Sequence, residues 1–408
     1  MPLLNEHEIY IIAMKFKFKK VLKWRLEDFK EIIGYLGDHL KLTIEVEDDG
    51  MKNELQLFVK CMPRYDKWKS EFLQEARFFN KEYMMLNKLF ENFENEDGTK
   101  KWRPKSLYVR EDLFVFEDVC KLGYKMPDFK DTMTFDTLKA SVKTVARFHA
   151  QSYIYEEKKS KDLGKPYRIW DDFSEYLQEP TISNIWRDTG RNAVIAFLKV
   201  FSKHRSNPDF LEKLDEVIPM LFNETVHLMK PNNEYRNVIV HRDLWCNNIF
   251  VKDDGISETH ALIVDFQTVI YCSPMLDLSS LIYFNTSKAF RDTYSLKLIE
   301  MYHYTLSAIL EESDININNI FPKDIIMKAY NDSLVFALTQ ASLIIPYTTI
   351  SSKWKKVFFS DPDISEKVNL VSRSEEFIAV ANEDSLYKER VTELLDEIVE
   401  RFIYDNYK

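Results

Sequence analysis

Three side chains could together carry out a group transfer. Asp243 and Asn248 lie five residues apart in VIVHRDLWCNNIF (238–250), and Asp265 closes the apolar run ALIVDF (261–266). VIV, IFV and ALIVDF read as strands, Asp243 and Asn248 lie on the loop after the first, and KDDG (252–255) reads as the turn between the last two. The turn returns Asp265 towards the loop that carries Asp243 and Asn248. Phosphoryl transfer uses such a set. One carboxylate orients the attacking hydroxyl or accepts its proton, while a second carboxylate and an amide hold Mg²⁺ on the phosphates. Polar residues capping a hairpin are the plainer reading, and the spacing of the whole set argues against it.

That chemistry also needs a strand lysine for the phosphates and a helical glutamate to pair with it. Lys60 ends LQLFVK (55–60), on the cleft face if side chains alternate. The following EFLQEARFFNKEYMMLNKLF (71–90) repeats Phe72, Ala76, Phe79, Tyr83, Leu86 and Phe90 at helical spacing. It offers Glu71, Glu75 and Glu82. Glu75 lies roughly 60° from the centre of the apolar stripe at about 100° per residue, and is the expected partner. A buried lysine without one would be costly.

The elements that must position these groups follow from the patterning. LKLTIEV (40–46) and LQLFVKC (55–61) alternate around EDDGMKN and predict a hairpin. LYVR (107–110) and LFVFEDV (113–119) predict two further strands. Beyond them the chain is mainly helical. TFDTLKASVKTVARFHAQS (134–152) carries Leu138, Val142, Val145, Ala146 and His149 on one stripe; Val391, Leu394, Leu395, Ile398 and Phe402 mark another. One β-rich island, 238–271, interrupts the helices. The expected class is α+β: a small mixed lobe, 1–119, and a larger helical lobe, 120–408, with an embedded hairpin.

The acceptor class follows from what surrounds Asp243. His-Arg-Asp suits a protein kinase, but Trp245 stands where a protein Ser/Thr kinase carries the lysine that meets the γ-phosphate. DFQ lacks the glycine of Asp-Phe-Gly, and no Ala-Pro-Glu follows. A small hydroxylated acceptor fits better than a protein loop. HRDLWCNN, VDFQ and SPMLDLSSLIYF resemble the aminoglycoside phosphotransferase and choline kinase superfamily. More narrowly, they resemble the ecdysteroid kinase-like family of arthropods, whose pattern has His-Gly-Asp-x-Trp-x-x-Asn, Asp-Phe-Gln and Asp-Leu. FLQEARFF, FEDV and VARFHAQS match further segments of that family. The resemblance spans roughly 25–400.

The resemblance implies a bilobal protein-kinase-like fold that binds ATP and Mg²⁺. Asp243 would be the catalytic base, and Asn248 and Asp265 the metal ligands. Lys60 would hold the ATP phosphates with Glu75 as its partner. Backbone groups of Glu117 and Val119 would meet adenine. Ecdysteroid-like steroids are the family's named substrates; other hydroxylated metabolites, including xenobiotics undergoing detoxification, fit equally. Asp277 reads as a buttress of the catalytic loop, His241 and Cys246 as packing, and Trp245 as core or pocket wall. Arg242 replaces the family's common glycine. It would lower the pKa of Asp243, pair with a phosphate, or point to solvent. No GxGxxG is present; Gly34, Gly37 and Asp38 are the candidates for phosphate cover.

Composition bounds the rest. The 408 residues carry 45% hydrophobic and 30% charged side chains, net charge −10, and a pI near 5.5. Neither nucleic acid nor an anionic membrane is an expected partner of so acidic a chain. The basic stretch MKFKFKKVLKWR (14–25) reads as a solvated face. Four cysteines without CxxC spacing predict neither zinc nor a disulfide framework, and with no leader or span apparent a cytoplasmic location is expected. A catalytically inactive kinase-fold binding protein is the alternative, opposed by the intact Lys, Asp, Asn and Asp set.

Overall fold

A computed structural model describes residues 3–29, 36–127, 132–179, 184–253, 255 and 258–404. Gly34 lies outside them. The chain forms two compact units: Met1–Met126 with Phe250–Thr268, and Pro127–Ile249 with Val269–Lys408. The first division therefore falls at 126/127 rather than 119/120. The hairpin expected inside the helical lobe belongs largely to the first unit.

The first unit begins with α1 (Glu6–Lys15), β1 (Lys20–Asp28), β2 (Asp38–Asp48) and β3 (Met51–Cys61). It continues with α2 (Lys67–Glu75), α3 (Phe78–Met84), β4 (Ser106–Arg110) and β5 (Leu113–Glu117). The five strands form one antiparallel sheet in the order β1-β2-β3-β5-β4. Asp49 and Gly50 join β2 to β3 at φ +46° and +81°. That is the left-handed pair a two-residue hairpin turn requires, which explains the Asp-Gly dipeptide. Alternation then sends Leu40, Leu42, Ile44, Val46, Leu57, Val59 and Cys61 to one face, where α1 supplies Ile9, Ile12 and Ala13. Each such side chain contributes about 1.5–3 kcal/mol on burial. Lys60, of opposite parity, is left for the other face. The basic stretch runs into β1, an edge strand whose Lys20 and Lys23 pair with Glu47 and Glu45 across the β1–β2 ladder.

The helix expected over 71–90 is broken. α2 starts at Asp66, whose side chain accepts from the Lys69 N–H, and ends before Arg77, which sits at φ +58°. α3 follows and widens into a π turn over Met85–Leu89.

The second unit contains α4 (Phe135–Leu163), α5 (Ile169–Leu177), α6 (Ile185–Phe201), α7 (Pro208–Leu228) and β6 (Val238–Val240). The chain then makes the hairpin β7 (Ile249–Lys252) and β8 (His260–Ile263). It returns through β9 (Ile270–Cys272), α8 (Met275–Asn285) and α9 (Lys288–Glu311) to further helices ending with Ser385–Val399. β6 pairs antiparallel with β9. The expected helices over 134–152 and near 391–402 lie in α4 and in Ser385–Val399 with its terminal π turn. Among the described residues no single helix is long and apolar enough to cross a membrane; Leu334–Thr348 passes only jointly with Ser352–Phe359, at a 101° bend.

Backbone pairing explains the hairpin's allegiance. Lys125 and Val251 exchange hydrogen bonds of 2.9 and 2.8 Å, and the Ile263 N–H donates to the Trp102 carbonyl at 2.9 Å. Leu262 is fully buried against Val119 and Tyr124, with Phe250 alongside. Leu262→Ala is expected to destabilise the protein by about 2–4 kcal/mol in denaturant unfolding.

Candidate active site

The first unit gathers a cluster of polar groups around Lys60. Its ammonium donates to Glu82 at 2.5 Å, to Asp265 at 2.8 Å and to the Gln267 amide oxygen at 3.3 Å. The Gln267 amide nitrogen donates back to Asp265 at 3.1 Å. The second Glu82 oxygen accepts the Phe266 N–H at 3.3 Å. One glutamate thus ties the strand lysine to the Asp-Phe turn. Phe266 is fixed by edge contacts with Phe90 and Trp102, at 4.8 and 5.8 Å between centroids. Phe79 lies under the Lys60 ammonium and stacks on Phe114 at 5.2 Å.

The partner of Lys60 is therefore Glu82, and the expected Glu75 is exposed on α2. Seven residues amount to nearly two turns, so periodicity alone places Glu75 and Glu82 on almost the same face. They differ along the axis by about 10 Å, and the break at Arg77 separates them further. Periodicity measures the first quantity and is blind to the second.

Burial dominates the electrostatics. It pushes the Glu82 carboxyl upward, Lys60 only partly offsets this, and Asp265 adds to it. Burial pulls the Lys60 ammonium down, but Asp265 and Glu82 outweigh it and the net direction is up. Lys60 remains charged between two carboxylates, and Asp265 is the more accessible, with a quarter of its side chain exposed against 1% for Glu82. Burial, with Lys60 adding to it, brings His39 on β2 down to about 4, a neutral imidazole at physiological pH. Gly37 permits the close approach of this strand end. A β-carbon there would lie 3.3 Å from the Cys61 carbonyl and 3.5 Å from the Lys60 chain. The Asp38 carboxylate accepts from Arg64 through both backbone and side chain.

The second unit builds the loop after β6. The carboxylate of Asp277, fully buried on α8, accepts the His241 and Arg242 N–H groups at 2.6 Å each. It also meets His149 Nε2 at 3.0 Å, while His149 Nδ1 meets the Tyr302 hydroxyl at 2.8 Å. Asp277 is thus the expected buttress. The Asn248 amide nitrogen donates to the Asp243 carbonyl at 2.8 Å and to its carboxylate at 3.0 Å. Trp245 is 8% exposed, and its indole N–H reaches the same Asp243 carboxylate oxygen at 3.3 Å. Two N–H donors fix the rotation of this carboxylate. Burial pushes the Cys246 thiol up to about 12, in keeping with a packing role.

Arg242 does not point to solvent, one of the expectations for it. Its guanidinium turns inward to Glu179 and to the Met229 sulfur. Its backbone sits at φ +71°, a left-handed conformation that costs a non-glycine residue about 1–3 kcal/mol. Asp265 shares that φ in the first unit.

The site residues therefore fall into two sets: Lys60, Glu82, Asp265 and Gln267 in the first unit; Asp243, Asn248, Trp245 and Asp277 in the second. Sequence reasoning missed Glu82 and Gln267. Gln267 was visible as the residue that follows Asp-Phe, where a glycine was sought.

A β-sheet unit with a paired strand lysine, and a helical unit with a buttressed Asp-x₄-Asn loop, define the kinase-like class. The ecdysteroid kinase-like family model matches residues 33–315, and the chain belongs to that family. Membership makes it a small-molecule phosphotransferase acting on alcohols. No curated protein matches the sequence. Among solved structures, an ethanolamine kinase of Plasmodium vivax is 11% identical, covering 95% of this chain and 86% of that one at TM-score 0.40. A microcompartment-associated aminopropanol kinase is 13% identical, covering 97% and 98%, at 0.42. The GDP complex of aminoglycoside 2'-phosphotransferase-IIIa is 12% identical, covering 93% and 99%, at 0.39. At these TM-scores they are similarities only, and the chemistry rests on the chain's own residues.

Removing one partner of a buried ion pair costs far more than removing an exposed charge. Glu82→Ala should destabilise the protein by about 3 kcal/mol, and Glu75→Ala by no more than about 0.5 kcal/mol, in denaturant unfolding.

Proposed function

We propose that the protein is an ATP- and Mg²⁺-dependent kinase that transfers the γ-phosphate to a hydroxyl of a small molecule, with ecdysteroid-like steroids and other hydroxylated metabolites as acceptors. The observation that carries this reading is the Lys60–Glu82–Asp265 cluster, a cation held ready for phosphate by two carboxylates of unequal accessibility. In this reading Lys60 binds the α and β phosphates and Glu82 keeps it in place. Backbone groups of Glu117 and Val119 meet adenine in this reading; the Glu117 N–H is already donated to the Lys105 carbonyl and the Val119 carbonyl already accepts the Tyr124 N–H.

The residues fit a magnesium ion. Mg²⁺ is usually held by one or two protein carboxylates, with phosphates and water supplying the remaining ligands. Among the described residues no cluster of three His, Cys, Asp or Glu side chains forms, so no all-protein cage competes with that arrangement. Asp265 would be one ligand. Asn248 would be another through its amide oxygen, because its nitrogen is committed to Asp243. The ion, when bound, supplies positive charge to the phosphate oxygens.

Asp243 does the acceptor chemistry in this reading. Its carboxylate, oriented by Asn248 and Trp245, orients the substrate hydroxyl and receives its proton as the oxygen attacks phosphorus.

Calorimetry tests the nucleotide half. Wild type should bind ATP only with Mg²⁺, and Asp265→Asn should lose or greatly weaken that binding. Well-folded wild type that ignores Mg²⁺-ATP would end the kinase reading. Transfer from labelled ATP to a panel of steroid and xenobiotic alcohols tests the other half. Asp243→Asn should slow transfer by about 10²–10⁴-fold while ATP still binds.

A further inference from the structure

We infer that Glu179 is a positioning residue for the loop that carries Asp243, acting through Arg242. The inference rests on the proposed role of Asp243 only for its functional meaning; its geometry stands alone. Arg242 is held at both ends. Its backbone N–H is fixed by Asp277 at 2.6 Å, and its guanidinium by the carboxylate of Glu179, two residues past α5. The other Glu179 oxygen takes Arg187 of α6 at 2.9 Å. All three side chains are close to nine-tenths buried, at 10%, 12% and 9% exposed. Among the described residues, Arg187 Nη1 has no hydrogen-bond partner. Burial pulls the Arg187 pKa down, with Arg242 adding to the effect and Glu179 opposing it. One carboxylate is therefore what lets two guanidinium groups share this interior.

The backbone gives that arrangement its purpose. Arg242 sits at φ +71°, where glycine is at ease and a side chain is strained. A non-glycine residue keeps such a φ only if its surroundings enforce it. If the side chain is released, Arg242 relaxes towards negative φ, and the peptide between Arg242 and Asp243 turns with it. The Asp243 carboxylate then loses its alignment with Asn248 and Trp245. Arginine needs the Glu179 anchor here; glycine would not.

Hydrogen exchange of the full-length chain, read by mass spectrometry over peptides covering 238–248 and α6, tests this without any substrate. Glu179→Gln should speed exchange in the loop about tenfold, the equivalent of releasing strain at the low end of its range. Arg242→Ala should do the same. In an Arg242→Gly background, Glu179→Gln should leave loop exchange where that background sets it. It should still loosen α6 around Arg187, which shows that the substitution acted. Equal acceleration of the loop in both backgrounds, or in neither, overturns the inference. Should Glu179→Gln fail to fold, Arg242→Ala against Arg242→Gly decides alone, since only alanine should loosen the loop. With an acceptor in hand, Glu179→Gln should lower kcat and leave the ATP Kd unchanged; a general structural defect would move both. Loop exchange as expected in a protein that ignores Mg²⁺-ATP would leave the inference standing and remove the kinase reading.

Discussion

The buried carboxylate of Asp277 is the constraint on which the second unit's chemistry depends. A charge with no exposed surface is tolerable only when its oxygens are satisfied by donors. Asp277 meets that demand with two consecutive backbone N–H groups and the His149 ring. Satisfying it forces the chain at His241 and Arg242 into one conformation. Asp243 follows directly and cannot choose its own direction. The Leu-Asp-Leu segment and the Phe-His-Ala segment, 128 residues apart from Asp to His, meet for this single purpose. The loop needs little stabilisation of its own, because the buttress would be costly to leave unpaired.

The first unit solves a related problem with the opposite balance. Lys60 faces two carboxylates, and one of them, Glu82, is so deeply buried that its charge is disfavoured. Asp265 is the more exposed of the two. Gln267 bridges Lys60 and Asp265 and keeps both in place. The aromatic contacts of Phe266 hold the turn from behind. A cation so placed can exchange a protein carboxylate for a phosphate without moving far, which is the preorganisation that binding charged groups rewards.

The candidate site residues were more legible in the sequence than those that hold them. Asp243, Asn248, Asp265 and Lys60 stand out because the proposed chemistry would fix both residue type and spacing. The β2–β3 hairpin is legible because Asp-Gly and period-two alternation are local signals. Glu82 was hidden because helical phase cannot separate residues seven apart, and because Arg77 breaks the helix from a residue type that carries no warning. The allegiance of the 250–268 hairpin was hidden for another reason. It is decided by pairing with Lys125 and Trp102, more than a hundred residues earlier. From sequence Trp245 reads as core or pocket wall. Only the indole N–H on Asp243 shows that it orients the carboxylate.

The His-Arg-Asp triplet looks like a protein kinase's, yet its arginine has a different electrostatic setting. In kinases switched by phosphorylation, an activation loop is ordered when a new phosphate finds arginine partners. Here the partner of Arg242 is a carboxylate already built into the chain, and it is buried with a second arginine behind it. An incoming phosphate would have to displace Glu179 and take from Arg187 its hydrogen-bonded carboxylate. Desolvation makes that exchange unfavourable. The arginine is thus spent on holding a left-handed turn and is not kept in reserve for a signal. Together with the missing Ala-Pro-Glu and the short path from Asp265 to α8, this describes a loop set once, at folding. Such a loop suits a phosphotransferase acting on small-molecule alcohols.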